Sequence, residues 1–243
     1  MRGATWASHK QAEKSGVIRD LLTGRIATVA YALYLRNLTH VYQALESALR
    51  VHSGRPGLGD LVPEELFRSA SLASDLDALA GPRWKNDLKL LNSARLYSER
   101  INLVSKNGGH PLIAHVYVRY LGDLNGGQVL ARILSQKSGL QPNQLSFYRF
   151  DDIEHPDAVK RDITEKIDRY GTLPIDPGPI VQEAERAFRF NIDLAEETSQ
   201  HSMQPCSRAA ETAGGYTTQK ASRSVVSDDR SSARFAKRKP PRF

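Results

Sequence analysis

Residues 120 to 130, with the sequence YLGDLNGGQVL, combine three glycines and one acid, Asp123, inside a helical pattern. Apolar residues on both sides recur at steps of three and four, which is typical of a helix. Each interior glycine costs about 1 kcal/mol of helix stability relative to alanine, so the pattern predicts one helix interrupted at its glycines. Backbone without Cβ atoms lets a flat ligand lie directly against the main chain. The alternative is an ordinary helix-loop-helix junction in which Asp123 and Asn125 form turns.

His9 and Glu13 lie four residues apart near the start of the chain, which is one helical turn. A carboxylate at this spacing can accept a hydrogen bond from one ring nitrogen while the other nitrogen coordinates a metal. A single axial histidine is one way in which proteins hold haem iron. The same spacing is also typical of an exposed histidine with an ordinary partner, so the pair alone leaves both interpretations open.

Other metal chemistries find little support in the sequence. A di-iron centre in a helical bundle needs Glu-x-x-His pairs on two helices, and no histidine here has a glutamate three residues before it. His110 and His115 are five residues apart, which is a poor spacing for two zinc ligands on one helical face. The one cysteine, Cys206, provides neither a disulfide nor a thiolate site. No GxxxxGK loop indicates nucleotide chemistry.

Hydrophobic periodicity predicts the helices that must position these residues. The first is expected over residues 8 to 22, with Ser8 as its N-cap, His9 in its first turn and Gly24 ending it. No segment shows the sustained alternation of a strand, so the fold should be all-α. The other helices are expected over residues 26 to 49, 63 to 80, 84 to 104, 156 to 170 and 179 to 198.

Charge divides the 243-residue chain into two parts. Residues 201 to 243 contain nine Lys/Arg against three acids, and so carry most of the net charge of +7. This basic tail lacks aliphatic periodicity and is expected to be disordered, whereas residues 1 to 200 suffice for one domain. The run Lys237-Arg238-Lys239 could bind an anionic partner, although a solvated charge run is the more ordinary interpretation. The globular part has no excess charge that would predict nucleic-acid binding.

Segments that would direct the chain to a membrane are not evident. No hydrophobic run approaches the 18 residues of a membrane span, and the N-terminus lacks the apolar core of a signal peptide. A single cysteine fits a reducing compartment. We therefore expect a soluble, cytoplasmic and monomeric protein.

Three motifs, taken in this order and at these intervals, resemble the haem oxygenase family. They are HKQAE starting at His9, YLGDLNGGQVL starting at Tyr120, and AFRFN ending at Asn191. The resemblance extends over roughly residues 5 to 198. It implies one compact all-α domain in which haem lies between a proximal helix that carries the axial histidine and a distal helix kinked at glycines. The iron ligand would be His9, and the distal glycines would be Gly122 and Gly126.

The same resemblance implies a distal proton network. Asp123 matches the family's distal carboxylate, and the residues that match its water network are Tyr42, Tyr97 and Arg119. Asp123 would then take the place that a distal histidine has in peroxidases and would act through ordered waters. Without the resemblance, the two tyrosines would be interpreted as half-buried residues with hydroxyls at a surface.

The resemblance also implies residues that hold the haem. Its propionates would be bound by Lys160, Tyr117 and Arg2, while Thr164 stands where many members carry an arginine. That departure bears on how firmly the propionates are held and on which haem edge is attacked. The implied haem-binding set is completed by Glu13, Phe188 and Asn191.

The function that the resemblance implies is oxidative cleavage of haem, as both substrate and prosthetic group, to biliverdin, carbon monoxide and ferrous iron with O2. The chain has no flavin or nicotinamide motif, so electrons are expected from a separate donor, either a flavoprotein reductase or a ferredoxin. Its tail is not a hydrophobic anchor, which favours the soluble bacterial or plastid kind. The alternative is a haem-binding or haem-carrying protein of the same fold without turnover.

Overall fold

The computed structural model describes residues 2 to 151, 153 to 172 and 176 to 203, without the side chain of Arg2. These residues form α-helices and short 3₁₀ segments and contain no strand, which confirms the all-α prediction. From residue 204 onward the basic tail lies outside the described residues, so its disorder stays a prediction. The helices are α1 (Arg2–Ala12), α2 (Gly16–Thr23), α3 (Thr28–Val51), α4 (Ser69–Ala80), α5 (Trp84–Asp87), α6 (Asn92–Lys106), α7 (Leu112–Ser138), α8 (Pro156–Tyr170) and α9 (Gly178–Met203).

The core is organised around α3, which packs against α4, α6, α7 and α9. Leu35, Leu38, Tyr42 and Leu45 recur at steps of three and four along this helix, and all four are fully buried. This spacing is that of a helix face turned toward a core. The long helices α3, α8 and α9 begin and end within a few residues of their predicted bounds, because their periodic patterns are long. In the described part of the chain, no helix combines the length and the hydropathy needed to cross a bilayer.

The first predicted helix is wrong. The structure has two helices, α1 and α2, so Ser8 is not an N-cap and His9 lies near the end of α1. Helix α2 begins at Gly16, whose φ of +34° favours glycine. A Cβ on Gly16 would lie 2.2 Å from the carbonyl oxygen of Ala195 in α9. The break therefore depends on close packing against a helix distant in sequence. Gly24 ends α2 as predicted, in the left-handed conformation.

The helices expected over residues 63 to 80 and 84 to 104 are also too long. Each divides into a short segment, the 3₁₀ turn Glu64–Leu66 or α5, and a longer helix, α4 or α6. The N-terminus of α4 is held by the carboxylate of Glu46, which accepts two backbone N–H groups there. Glu197 does the same at the start of α6. These caps come from other helices, so the local sequence does not reveal them.

Helix α7 runs without interruption from Leu112 to Ser138, so the predicted break at the glycines is wrong. The alternative of a helix-loop-helix junction is excluded with it. Three interior glycines cost about 3 kcal/mol, which packing of the helix on both sides of them offsets. Tyr120 upstream and Leu134 downstream are both fully buried. A kink at the glycines stays a prediction.

Candidate functional site

A cavity of about 1030 Å³ is lined by residues of α1, α7, α8 and α9. Most of its wall is apolar, and most of the apolar side chains belong to α7 and α9. A wall of this kind buries a largely apolar ligand, with a few polar groups fixing its orientation. The apolar lining includes Ile113, Val118, Leu121, Ile167, Val181 and Phe188.

The wall formed by α1 and the residue directly after it carries His9 and Glu13. The Nδ1 atom of His9 lies 3.5 Å from a carboxylate oxygen of Glu13, and Lys10 donates to the same carboxylate at 3.0 Å. The imidazole is stacked parallel to Trp6 and meets Phe188 edge-on, with ring centroids 6.1 and 5.9 Å away. Glu13 thus orients one ring nitrogen, and Nε2 makes no hydrogen bond to a described residue. This nitrogen is available to a ligand.

The α7 wall is formed partly by bare backbone. Gly122 and Gly126 line the cavity, and a Cβ on either would meet no described heavy atom within 4 Å. Packing with the rest of the protein therefore does not require glycine at these positions. Gly127 differs, since a Cβ there would lie 3.3 Å from the carbonyl oxygen of Tyr148. The first two glycines keep the cavity open beside the helix.

A polar network lies behind the α7 wall. The Tyr42 hydroxyl donates to the carboxylate of Asp123. Arg119 donates from Nε to the Tyr42 oxygen at 3.2 Å and from Nη1 to Asn191 Oδ1 at 2.8 Å, and its Nη2 lies 3.7 Å from Asp123. None of these four side chains is part of the cavity lining. Asp123 therefore has buried partners that the sequence did not reveal, and it lies beside the cavity instead of in it.

Burial shapes the ionisation of this network. It raises the pKa of Asp123, against the lowering effects of Arg119 and Tyr42. It also raises the pKa of Tyr42 well above its ordinary range. Burial alone would lower the pKa of Arg119, but Tyr42 and Asp123 raise it well above the ordinary value. Asp123 is thus the member of the group whose pKa is moved toward neutrality, as proton transfer requires.

Tyr97, in α6, is the remaining residue of the predicted distal network. Its ring is fully buried and stacks on Phe190 with centroids 5.0 Å apart. Its hydroxyl is buried and has no hydrogen-bond partner among the described residues. Since Tyr97 and Tyr42 are both fully buried, the interpretation of either as a surface tyrosine is wrong.

Of the predicted propionate ligands, Lys160 and Tyr117 line the cavity. The Tyr117 hydroxyl lies 3.5 Å from Thr5 Oγ1, which links α7 to α1. Thr164 also lines the cavity, but its hydroxyl donates to the Lys160 carbonyl oxygen at 2.8 Å. The side chain of Arg2 lies outside the described residues.

Comparison with known proteins identifies the family. The family model described as Heme oxygenase matches residues 1–197. The chain belongs to the haem oxygenase family. The Heme oxygenase of Guillardia theta is 36% identical over 201 residues, covering 81% of this chain and 84% of that protein. Heme oxygenase 1 of Synechocystis is 33% identical over 200 residues, covering 81% and 82%.

Solved structures agree with this assignment. The crystal structure of heme oxygenase-1 from Synechocystis, in complex with heme, has a TM-score of 0.76 and 32% identity, and the match covers 82% of this chain and 90% of that one. The heme oxygenase of Leptospira interrogans has a TM-score of 0.75 and 30% identity. The chain is therefore a haem oxygenase in fold and in function, and as such an enzyme that degrades haem.

Sequence reasoning missed six polar or aromatic residues of this haem oxygenase cavity: Thr5, Trp6, Asn125, Asp168, Tyr170 and Thr172. The first two were missed because the first helix was expected to begin only at Ser8. Asp168 follows Lys160 and Thr164 at steps of four along α8, so helical spacing could have found it.

Proposed function

We propose that the cavity binds haem through Nε2 of His9 and that the enzyme cleaves it with O2 to biliverdin, carbon monoxide and ferrous iron. One observation carries this proposal. The oriented pair His9 and Glu13 shares a cavity with the bare backbone at Gly122 and Gly126. An axial nitrogen and a wall without side chains are what a flat metal-containing ring requires.

Bound haem would supply both the iron at which O2 reacts and the ring carbon that is oxidised. The part of His9 is to hold the iron, and that of Glu13 is to keep the imidazole in one orientation with Nε2 turned toward it. Phe188 packs edge-on against His9 and limits the rotation of its ring. A thiolate ligand donates electrons strongly to the iron, and this donation favours O–O cleavage. A neutral histidine ligand lacks that strong donation.

The glycine wall and the polar network behind it would have different roles on the distal side of the haem. Gly122 and Gly126 allow close approach of the ring, and the apolar side chains Val118 and Leu121 exclude bulk water. The proton is held by Asp123, whose carboxylate is fixed by Tyr42 and Arg119. Because Asp123 is not itself part of the cavity wall, a bound water would carry its proton to the reaction centre.

The propionates would be held at the α8 edge of the cavity by Lys160, with Tyr117 as a hydrogen-bond donor. Thr164 does not replace an arginine, because its hydroxyl hydrogen is directed to a backbone carbonyl. The participation of Arg2 stays a prediction. Electrons would come from a separate flavoprotein reductase or ferredoxin. The cytoplasmic location and the monomeric state expected from the sequence likewise stay predictions.

The test adds haem to the protein in air, then a reductant, and follows the Soret band and the visible spectrum. Binding through His9 should produce a Soret band, and turnover should replace it with the absorbance of biliverdin. A band that persists under reductant and O2 would favour the haem carrier. The same mixture without O2 is the control. Failure to form a band would overturn the proposed use of the cavity.

A further inference from the structure

Three helices contribute a second polar cluster that the proposed chemistry does not use. It consists of Arg100 in α6, His115 in α7, and Glu183 and Arg186 in α9, and we call it the Glu183 cluster. The Glu183 carboxylate is 1% exposed. It accepts hydrogen bonds from Arg100 Nε at 2.9 Å, His115 Nε2 at 3.1 Å and Arg186 Nη1 at 3.3 Å. His115 is completely buried.

The charges of this cluster determine where the histidine carries its hydrogen. Burial alone would raise the pKa of Glu183, but the hydrogen bonds from Arg100 and His115 outweigh it and lower the pKa to about 2. Burial lowers the pKa of His115. At neutral pH a carboxylate therefore faces a neutral imidazole. A carboxylate can only accept, so Nε2 must carry the hydrogen and Nδ1 is left as a bare acceptor.

That bare acceptor has a complementary neighbour. His115 Nδ1 is buried and has no hydrogen-bond partner within the described residues, and the same is true of the Tyr97 hydroxyl. The two rings are neighbours, with centroids 5.5 Å apart. Buried polar atoms are almost always paired, either directly or through a bound water. The structure shows no direct hydrogen bond between them, but a bound water between the phenolic donor and the imidazole acceptor would satisfy both atoms.

Tyr97 in turn connects to the network of Asp123. On α7, His115, Arg119 and Asp123 recur every four residues and share one face. Arg119 donates to Asn191. Burial raises the pKa of Tyr97, whereas Arg119 and, to a smaller extent, the Asn191 side chain lower it. Tyr97 is thus placed between the Glu183 cluster and the groups that hold Asp123.

We propose that Glu183 fixes the tautomer of His115, and that His115 fixes the direction of the Tyr97 O–H bond, so that Glu183 and His115 are positioning residues for the Asp123 network. The His115 tautomer does not depend on the proposed function. Only the expected effect on turnover rests on the proposed function. No proton is consumed in this arrangement, since each hydrogen stays on its own atom and only its direction is set.

The first test is ¹⁵N NMR of the histidine rings in the protein without haem, at neutral pH. His115 should show a protonated Nε2 and a bare Nδ1, and Tyr97→Phe should shift the Nδ1 resonance because its donor is lost. Glu183→Gln should weaken the preference of the His115 hydrogen for Nε2 over Nδ1, since an amide can donate as well as accept. His52 is the matched control, being buried, bonded through Nε2 and unpaired at Nδ1, and its resonances should not respond. A hydrogen on His115 Nδ1 in the wild type would overturn the proposal, even if a variant fails to fold.

The second test is a double-mutant cycle on the rate of biliverdin formation. Loss of one hydrogen bond changes a free energy by roughly 1 kcal/mol, so His115→Asn should slow the rate about 2–10-fold. In the Tyr97→Phe background the same change should have no further effect, because the contribution passes through Tyr97. His52→Asn should leave the rate unchanged. Equal losses in both backgrounds would overturn the proposal, whereas a wild type without turnover would refute the proposed function and leave the tautomer result standing.

Discussion

Replacing Gly122 and Gly126 with alanine should make the protein more stable and less able to bind haem. Both residues lie in the interior of α7, and a Cβ on either meets no described heavy atom within 4 Å. Alanine is favoured over glycine in a helix by about 1 kcal/mol, so the double variant should gain about 2 kcal/mol. For a domain of this size, that gain corresponds to a rise in Tm of about 4–8 °C.

The same methyl groups would stand in the cavity, on the wall where the haem plane is proposed to lie. Overpacking a fitted site costs about 1–3 kcal/mol, so the affinity for haem should fall by about one to two orders of magnitude. Gly127→Ala is the matched control within the same helix. Its Cβ would press on the Tyr148 carbonyl oxygen at 3.3 Å and does not face the cavity. It should gain little stability and bind haem normally.

Two measurements decide the matter: thermal unfolding of the haem-free protein by circular dichroism, and haem titration followed at the Soret band. A double variant that is no more stable than the wild type would mean that the glycines serve the shape of α7, as the predicted kink would require. A variant that is more stable but binds haem with unchanged affinity would mean that haem does not contact this wall.

Four further perturbations test the other parts of the site and the chain. His9→Ala should still associate with haem through stacking and propionate contacts but lose axial ligation and most turnover; an unchanged ferric spectrum would identify a different ligand. Asp123→Ala should lower the biliverdin yield and, by leaving the Tyr42 hydroxyl without its acceptor, cost about 1–3 kcal/mol of stability. Asp123→Asn should do less damage, and an unchanged yield would move the proton path to other groups. The Glu183 pKa falls from the ordinary 4.5 to about 2 on folding. The stability it contributes, roughly 3 kcal/mol, should be present above pH 4.5 and lost as pH falls toward 2, so urea unfolding of Glu183→Gln should vary less across that window. Truncation after Met203 should leave folding and turnover unchanged, and loss of either would give the basic tail a structural role.

Much of the fold could be predicted because its long helices carry long periodic patterns. Over α3 the three- and four-residue steps persist for more than six turns, so errors at single positions have little effect. The short elements could not be predicted in this way. The breaks before α2, α4 and α6 depend on Ala195, Glu46 and Glu197, which are close in space and distant in sequence.

The candidate site shows the same division. Residues carried over from motifs, such as His9 and Lys160, do line the cavity, because a motif records positions relative to a helix face. Direct bonds across helices are not evident from the sequence. The resemblance groups Tyr42 with Asp123 in a water network, whereas the structure has a direct hydrogen bond between them across 81 residues of chain. The sequence raises His115 only as a possible zinc ligand. A buried pair such as His115 and Glu183 becomes visible only once the helices are packed together.

The absence of a break in α7 explains how one short stretch performs two opposite tasks. Successive residues of a continuous helix are rotated by about 100°, so a property that recurs every four residues stays on one face. Gly122 and Gly126 fall on the face toward the cavity, where they remove side chains. Asp123 and Arg119 fall on the neighbouring face, where both contact Tyr42, so the carboxylate is held beside that opening. An interrupted helix would lose this fixed rotation, and with it the placement of the carboxylate next to the cavity.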